Sequence, residues 1–244
     1  MIALLCPTRQ RPDTLIRMIA SVRDTARTDC KVFLAMTAVE CDEFHQDKNG
    51  NPFVCMFSMP DNLPTSHKWN WLAQTAMTDR SNKLFMLAAD DMVFTTPGWD
   101  KAIIDHYNAL PEGKKQHVYA LRDSRDPDGT PHVICTREYI ETMGFFVPPI
   151  FMHWYVDSWT VEIARSAGCF THFKEYGLTH IKPSDEGKPD ETHSRIRNWG
   201  WHDRDKYVAE TCKDWLSVQK SKLLKATGWV EVQTKKDWDF GVNR

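Results

Sequence analysis

The segment LFMLAADDMVFTTPGWD, residues 84–100, combines an apolar run with a pair of adjacent carboxylates. The continuous apolar residues from Leu84 to Leu87 are typical of a β-strand that is buried on both faces. The run leads to Asp90 and Asp91, two like charges that repel each other and are costly to bury unpaired. Either a bound cation or exposure to water would resolve this conflict, so the segment predicts a strand that ends at a metal site or at a solvated turn.

Strand and helix patterns alternate on the N-terminal side of this segment. Apolar runs predict strands in MIALLCPTR (1–9), KVFLAMTA (31–38) and FVCMFSM (53–59), and helical spacing predicts helices in RPDTLIRMIASVRD (11–24) and SHKWNWLAQTAMTD (66–79). The first hundred residues therefore read strand, helix, strand, strand, helix, strand. This order predicts an α/β fold with a mainly parallel sheet and right-handed crossovers.

The second half of the chain is less regular. Strands are expected in QHVYALRD (116–123) and HVICT (132–136) around the turn DPDG (126–129), and a strand pair is expected in CFTHFKEYGLTHI (169–181) around Gly177. Helices are expected in VDSWTVEIARSAG (156–168) and, as one final helix, in DRDKYVAETCKDWLSVQKSKLL (203–224), with a polar loop before it. We expect one α/β domain over residues 1–202 and a helical extension over residues 203–244.

The composition narrows the class of protein. The 244 residues are 41% hydrophobic and 26% charged, with a formal net charge of −2, as in an ordinary globular protein without a global positive field. Seven cysteines without a CxxC pair favour reduced thiols in the cytoplasm over a disulfide framework or a zinc site. No apolar run is long enough to span a membrane, and no leader pattern begins the sequence. The absence of GxxxxGK[ST] and GxGxxG disfavours a P-loop ATPase and a Rossmann dehydrogenase.

Polar motifs follow two of the predicted strands. Ligands of open α/β sheets bind beyond the carboxyl ends of the strands, where both CPTRQRP (6–12) and ADD (89–91) are expected to meet. Strand-end carboxylates suit Mg²⁺ or Mn²⁺, and a divalent cation can also hold a diphosphate. Arg9, Arg11 and Lys68 are candidate partners for that diphosphate, although a solvated surface charge is the simpler interpretation of any one of them.

The order of these motifs resembles a known family. IALLCPTRQRPDTL (2–15), followed by LFMLAADDMVF (84–94) and TPGWD (96–100), resembles glycosyltransferases of the GT-A fold, most closely the small phage and bacterial members related to family 2. The resemblance covers roughly residues 1–200. It implies a Rossmann-like fold of nucleotide-diphospho-sugar transferases, with a mixed, mainly parallel sheet flanked by helices.

The resemblance also implies roles for individual residues. In such enzymes a D-x-D motif binds the metal and the sugar-nucleotide diphosphate; this chain has Ala89 in place of the first acid, so Asp91 would bind the metal and Asp90 would face the ribose or the donor sugar. The residues implied to hold the nucleotide are Pro7, Thr8, Arg9 and Arg11 after the first strand, with Lys68 and Asn70 near the nucleotide and the metal.

Three further positions match the family segments downstream. Asp157 matches an acidic residue that faces the acceptor and would act as general base, although a carboxylate at a helix start is also a common N-cap. His180 matches a histidine close to the metal, and Lys182 stands where a second histidine is usual. Lys188, with Asp190, would close a loop over the donor.

The sequence thus predicts a metal-dependent hexosyl- or pentosyltransferase that uses Mn²⁺ or Mg²⁺ and a nucleotide-sugar donor, most simply a UDP-sugar. The acceptor is a hydroxyl group. The resemblance implies one candidate acceptor, a hydroxymethylated pyrimidine in phage DNA, since small enzymes of this kind occur in phages and RIRNWGW (195–201) could contact a DNA backbone. Trp199 and Trp201 in this segment could stack on a base or a sugar. A protein, a lipopolysaccharide or a small molecule stays open as the acceptor. The alternatives are a non-catalytic nucleotide-sugar-binding module and a sugar-nucleotide nucleotidyltransferase, which usually begins with a Gly-rich loop that CPTRQRP does not provide.

Overall fold

The computed structural model of the chain describes residues 1–47, 53–187 and 191–228, and within them it contains one eight-stranded sheet in the order β3-β2-β1-β4-β7-β6-β8-β5. The strands are β1 (Ile2–Pro7), β2 (Cys30–Met36), β3 (Val54–Ser58), β4 (Leu84–Leu87), β5 (Met92–Phe94), β6 (Val118–Asp123), β7 (Val133–Thr136) and β8 (Phe170–His180). The helices are α1 (Pro12–Thr25), α2 (Ala38–Asp47), α3 (Thr65–Ala76), α4 (Trp99–Ala109), α5 (Arg137–Met143), α6 (Val156–Ser166), α7 (Glu191–Asn198), α8 (Trp201–Thr211) and α9 (Lys213–Thr227).

The N-terminal half of the sheet is parallel, as predicted. β1 pairs with β2 and β4, and β2 pairs with β3, all in parallel register. The apolar run of β1 is buried on both faces: Ala3 and Leu5 pack into one core cluster, and Leu4 and Cys6 pack into the other. A strand covered by helices on both sides needs such a continuous run, and its carboxyl end is free to face a ligand.

The C-terminal half is mixed. β7 pairs with β4 and β6 in antiparallel register, and the predicted turn at residues 126–129 lies between β6 and β7. The strand pair expected around Gly177 is wrong: β8 is one strand that pairs with β6, shifts register opposite Leu121 and Arg122, and then also pairs with β5. At Gly177 the chain passes so close to its neighbour that an added Cβ would lie 3.0 Å from the Thr95 hydroxyl. This close approach explains why a glycine occupies this position in the strand.

The pairing of β5 with β8 positions the end of the sheet. Met92 lies opposite His180 in this antiparallel pair, and the Ile181 N–H donates to the Asp91 carbonyl at 2.7 Å. Asp91, which follows β4, is thereby brought beside His180, 89 positions later in the chain.

The helices after residue 190 differ from the prediction. α7 begins within residues 183–194, which were expected to be a polar loop, and extends past them. The expected single final helix is two helices, α8 and α9, that meet at Cys212. Ala209, Leu216 and Leu223 belong to the same core cluster as the sheet. The predicted domain boundary between residues 202 and 203 falls within α8. Among the described helices, none is both long enough and apolar enough to cross a membrane.

Candidate functional site

A cleft of about 290 Å³ opens at the carboxyl ends of β1 and β4. Its other walls come from the segment before α6, the end of β8 and α7. Most of the predicted site residues line it, namely Pro7, Thr8, Arg9, Arg11, Lys68, Asp90, Asp91, Asp157 and His180. The meeting of the two strand-end motifs in one crevice is the geometry expected from a parallel α/β sheet.

Asp90 is held inside the cleft floor by two polar groups. The Thr8 hydroxyl donates to Asp90 Oδ2 at 2.6 Å, and Arg11 Nη1 lies 3.0 Å from Asp90 Oδ1. Burial raises the pKa of Asp90 to about 6, although the positive charge of Arg11 opposes this shift. The first strand therefore orients the first carboxylate through the turn that follows it.

Asp91 faces a histidine. Its Oδ1 lies 3.6 Å from His180 Nε2, and its Oδ2 lies 3.5 Å from Arg11 Nη1. On the far side of the imidazole, His180 Nδ1 lies 2.7 Å from Asp123 Oδ2 at the end of β6. Burial alone would raise the pKa of Asp123, but the hydrogen bonds from His180 and from the Arg125 N–H hold that pKa below its usual range. An ionised Asp123 thus orients the His180 ring.

A second histidine, which the sequence analysis did not identify, completes this cluster. His132 lies in the turn before β7, is 3% exposed, and points its Nε2 at the Nε2 of His180 at 2.8 Å. Its Nδ1 lies 3.2 Å from the carbonyl oxygen of Leu87. Burial lowers the pKa of His132 to about 3, which favours the neutral imidazole.

This donor set fits the divalent cation that the fold family implies. Asp123, His132 and His180 present ligand atoms within 4.8 Å of one another, and Asp91 adds a carboxylate oxygen beside His180. Buried carboxylates next to neutral imidazoles are typical ligands and supporting groups of metal ions.

Positive and negative side chains alternate at the far end of the cleft. Arg9 lies 3.3 Å from Glu40 Oε2 and 3.0 Å from Asp61 Oδ1, and Arg195 of α7 lies 3.7 Å from the same Asp61 oxygen. Lys68 Nζ donates to the Asp61 carbonyl at 3.2 Å. Burial lowers the pKa of Lys68, with Asp61 opposing the shift and Arg195 adding to it. The positive charges of Arg9, Lys68 and Arg195 are therefore partly neutralised by protein groups, so these side chains are not simple solvated surface charges.

One predicted residue among those described does not line the cleft. Asn70 is not among the lining residues: its amide donates to the carbonyls of Ser66 and Val147 and accepts the N–H groups of Phe146 and Val147. Asn70 therefore ties α3 to the segment after α5 instead of facing a nucleotide. Lys188, and Asp190 with it, lie outside the described residues.

Asp157 faces the cleft from the first turn of α6. The N-cap position of this helix is Tyr155, which adopts φ = 66°, a left-handed conformation that is uncommon outside glycine. Asp157 is half-buried and its Oδ1 accepts the Ser158 N–H at 2.8 Å. Burial raises the pKa of Asp157 above its ordinary range, and the hydrogen bond from Ser158 partly opposes this shift.

The segment before Asp157 is held by a carboxylate from α8. Asp205 is fully buried and accepts the N–H groups of Met152, His153 and Trp154 at 2.7, 2.8 and 2.9 Å. Three consecutive amides on one carboxylate fix the backbone that leads into α6. The C-terminal helices thereby shape the wall of the cleft that carries Asp157.

An aromatic wall closes the side next to α7. Trp199 and Trp201 both line the cleft with ring centroids 4.9 Å apart, and Trp199 is 40% exposed. The Arg195 guanidinium lies over the Trp199 ring at 5.4 Å. An exposed indole next to a cation suits a flat ring of a ligand.

The residues that the sequence analysis missed share one property. His132 in a turn, Asp123 at a strand end and Asp205 in a helix are distant in sequence from the motifs, and none of the three lies in one. A faint signal existed for Asp123 and His132, because both lie at the ends of the predicted strands that flank the turn at residues 126–129.

Comparison with known proteins gives a fold and no sequence family. No protein-family model and no curated protein matches the chain. The mannosyltransferase PcManGT from Pyrobaculum calidifontis, solved in complex with GDP-Man and Mn²⁺, superposes with a TM-score of 0.57 at 10% identity, covering 93% of this chain and 74% of that one.

TarS from S. aureus superposes with a TM-score of 0.53 at 11% identity, covering 76% of this chain and 37% of that one. Its 1-349 form in complex with UDP gives 0.53 at 12% identity, covering 76% and 62%. The chain thus spans less than two thirds of these TarS chains. At such identities the likeness is one of fold, and it confirms the predicted α/β architecture of GT-A glycosyltransferases, a mixed sheet flanked by helices.

Proposed function

We propose that the protein is a metal-dependent glycosyltransferase that moves a hexosyl or pentosyl group from a nucleoside-diphosphate donor, most simply a UDP-sugar, to an acceptor hydroxyl. One observation carries the proposal: Asp90, Asp91, Arg11 and His180 converge at the strand ends of a GT-A sheet, in a cleft that Asp157 also lines. The fold supports this proposal, because similar structures were solved with nucleotides or nucleotide sugars. TarS was solved with UDP and with UDP-GlcNAc, and PcManGT was solved with GDP-Man and Mn²⁺.

The donor end of the cleft is the region around β1. Asp91 and His180 would hold Mn²⁺ or Mg²⁺, and a bound divalent cation supplies positive charge to the diphosphate leaving group. Arg11 adds a fixed positive charge beside the acid pair, since it contacts both carboxylates. Asp90, fixed by Thr8, is placed to accept hydrogen bonds from hydroxyls of the ribose or the donor sugar.

The nucleotide is proposed to lie along the turn after β1, against Pro7 and Arg9, with Lys68 beside Asp61 at the same end of the cleft. Lys188 belongs to a segment that follows β8, and we propose that it contacts the donor from there.

Asp157 is the proposed general base. As the acceptor oxygen attacks the anomeric carbon, the bond from that carbon to the diphosphate oxygen breaks, and the hydroxyl proton passes to the Asp157 carboxylate. A raised pKa makes this carboxylate a better proton acceptor than an ordinary aspartate. The backbone held by Asp205 fixes its position.

The acceptor lies, in this proposal, between Asp157 and the aromatic wall. Trp199 with Arg195 suits a flat ring that is next to a negative charge. A hydroxymethylated pyrimidine in DNA, such as phage DNA carries, has both properties and is the acceptor we would test first. The free thiols support a cytoplasmic setting for such a reaction.

The first experiment is calorimetric titration of UDP and GDP into the protein, with Mn²⁺ and then with EDTA. Metal-dependent binding of one nucleotide would support the transferase and identify the base of the donor. Release of free sugar from that donor without acceptor would then separate an enzyme from a non-catalytic binding module. Absence of binding of both nucleotides, with or without metal, would refute the proposal.

A further inference from the structure

We propose that the cation of this site is bound by two imidazoles, His132 and His180, together with Asp91, and that Asp123 positions His180 without binding the ion. The inference deepens the proposed function, on which it rests for the role of the ion in catalysis. His132 has no counterpart in the sequence motifs, and the hydrogen bonds of the two rings assign its role.

The tautomer of His132 follows from its backbone partner. A carbonyl oxygen only accepts hydrogen bonds, so the contact of 3.2 Å between His132 Nδ1 and the Leu87 oxygen requires the proton on Nδ1. In a neutral ring, Nε2 then carries a lone pair. That lone pair points into the cleft, because Nε2 is the atom that meets His180.

The tautomer of His180 follows from Asp123. A carboxylate oxygen accepts hydrogen bonds, so the contact of 2.7 Å between His180 Nδ1 and Asp123 Oδ2 places the proton of His180 on Nδ1. Its Nε2 is therefore also a lone-pair atom when the ring is neutral. A histidine that donates one ring N–H to a carboxylate or a backbone carbonyl is the usual arrangement of a metal ligand, and both rings have it.

Two lone pairs then face each other at 2.8 Å. Neutral rings in this arrangement repel, so a cation must lie against both nitrogens or a proton must be shared between them. Two imidazole nitrogens bound to one ion at ~2.1 Å lie roughly 3 Å apart, close to the separation observed. Asp91 Oδ1 lies 3.6 Å from His180 Nε2 and supplies the third ligand atom in this proposal.

Asp123 is already committed to other partners. Its Oδ2 accepts from His180, and its Oδ1 accepts the Arg125 N–H at 2.9 Å. Each oxygen thus accepts one hydrogen bond, and the two bonds orient the ring and the turn after β6. In this proposal Asp123 is a positioning residue, and His132 is the second imidazole ligand.

This donor set also indicates the class of ion. Mg²⁺ prefers oxygen ligands in an octahedral shell, whereas imidazole nitrogen favours first-row transition ions. Two imidazoles and one carboxylate should therefore bind Co²⁺ more tightly than Mn²⁺, and both far more tightly than Mg²⁺.

The test is pulsed electron paramagnetic resonance of the full chain loaded with Mn²⁺ alone, without nucleotide. Coupling to ¹⁴N of two coordinated imidazoles is expected in the wild-type spectrum, and coupling to one in His132→Gln. The affinity for Mn²⁺ should fall by more than about 100-fold in His132→Gln, and by about 10- to 100-fold in Asp123→Asn, which should keep both nitrogen couplings. His67→Gln is the matched control, since His67 is exposed on α3 and does not line the cleft.

The spectrum of the wild-type protein tests by itself whether two imidazoles bind the ion. Coupling to one imidazole, or Mg²⁺ binding as tightly as Mn²⁺, would overturn the proposal and leave His132 as a proton-sharing partner of His180. Unchanged couplings in a folded His132→Gln variant would overturn it as well. The calorimetric titration of UDP and GDP separates the two proposals. Two nitrogen couplings without nucleotide binding would refute the transferase and support this metal site. Metal-dependent nucleotide binding with one nitrogen coupling would support the transferase and refute this metal site.

Discussion

The pair of His132 and His180 in the cleft differs from a second close pair, His106 on α4 and His117 before β6, in its hydrogen-bond partners. His132 and His180 meet nitrogen to nitrogen at 2.8 Å in the cleft, each with its other nitrogen on an oxygen acceptor. His106 and His117, packed on another part of the sheet, have ring centroids 5.3 Å apart. There His117 Nε2 meets the Thr171 hydroxyl at 2.9 Å, and His106 Nδ1 meets the Tyr119 hydroxyl at 3.3 Å.

The contrast shows that orientation and neighbouring charge, more than proximity, make a pair of histidines suitable for a metal ion. The pair of His106 and His117 is enclosed by aromatic rings, and among the described residues no carboxylate hydrogen-bonds either of its rings. Its hydrogen bonds join α4, β6 and β8 and serve the fold. The cleft pair has Asp91 and Asp123 beside it and an open cleft in front.

The largest effect is expected at Asp157, which lines the same cleft as His132 and His180. Asp157→Asn should lower the rate of sugar transfer by about 10²- to 10⁴-fold, because the amide cannot accept the acceptor proton. Binding of the donor nucleotide should not change. In the wild type, kcat/KM should fall with decreasing pH at a higher pH than an ordinary aspartate gives, since the base must be ionised and burial raises its pKa. A normal rate in Asp157→Asn would exclude it as the base.

The second prediction removes a carboxylate from beside His132 and His180, since the pair of His106 and His117 has no hydrogen-bonded carboxylate among the described residues. Asp91→Asn removes a carboxylate beside His180, so affinity for Mn²⁺ should fall by about 100-fold or more, while the urea midpoint of unfolding changes little. Asp105→Asn, at an exposed surface pair on α4, is the control that keeps wild-type binding. If Asp91→Asn unfolds the protein or leaves Mn²⁺ binding intact, the acid pair is structural.

The third prediction concerns the support of the cleft wall. Asp205→Asn keeps the shape of the side chain but replaces one accepting oxygen, so it should lower the free energy of unfolding by about 2–3 kcal/mol. It should also raise the KM for acceptor and leave nucleotide binding intact. Asp203→Asn on the same helix is exposed and should behave as the wild type. Equal effects of the two variants would show that the three amide bonds do not fix the segment before α6.

The smallest effect is expected at the structural pair. Burial lowers the pKa of His117 to about 3 from an ordinary value of 6.5. The unfolded chain therefore binds a proton that the folded chain excludes, and stability falls as pH decreases below 6.5, by up to about 1.4 kcal/mol per pH unit from this group. His117→Gln should flatten this slope in urea unfolding between pH 7 and pH 5 and leave Mn²⁺ binding unchanged. A slope equal to the wild type would show that other groups cause the acid sensitivity.

Much of the parallel half was predictable from local patterns. The apolar runs of β1, β2 and β4 and the helical spacing of α1 and α3 each reflect burial within one element, so they are visible in a short window of sequence. The polar segment of α7 and the break at Cys212 were not visible, because a short polar helix and a helix junction have weak periodicity.

The candidate site divides in the same way. The residues alone determined that Asp90, Asp91, Arg11 and the turn after β1 would meet, since the carboxyl ends of adjacent parallel strands share one edge. Only the tertiary structure decided that His132 faces His180, that Asp123 orients it, and that Asp205 holds the backbone before Asp157. Those contacts depend on the register of β8 against β5 and β6 and on the packing of α8, and no local pattern of residues encodes either.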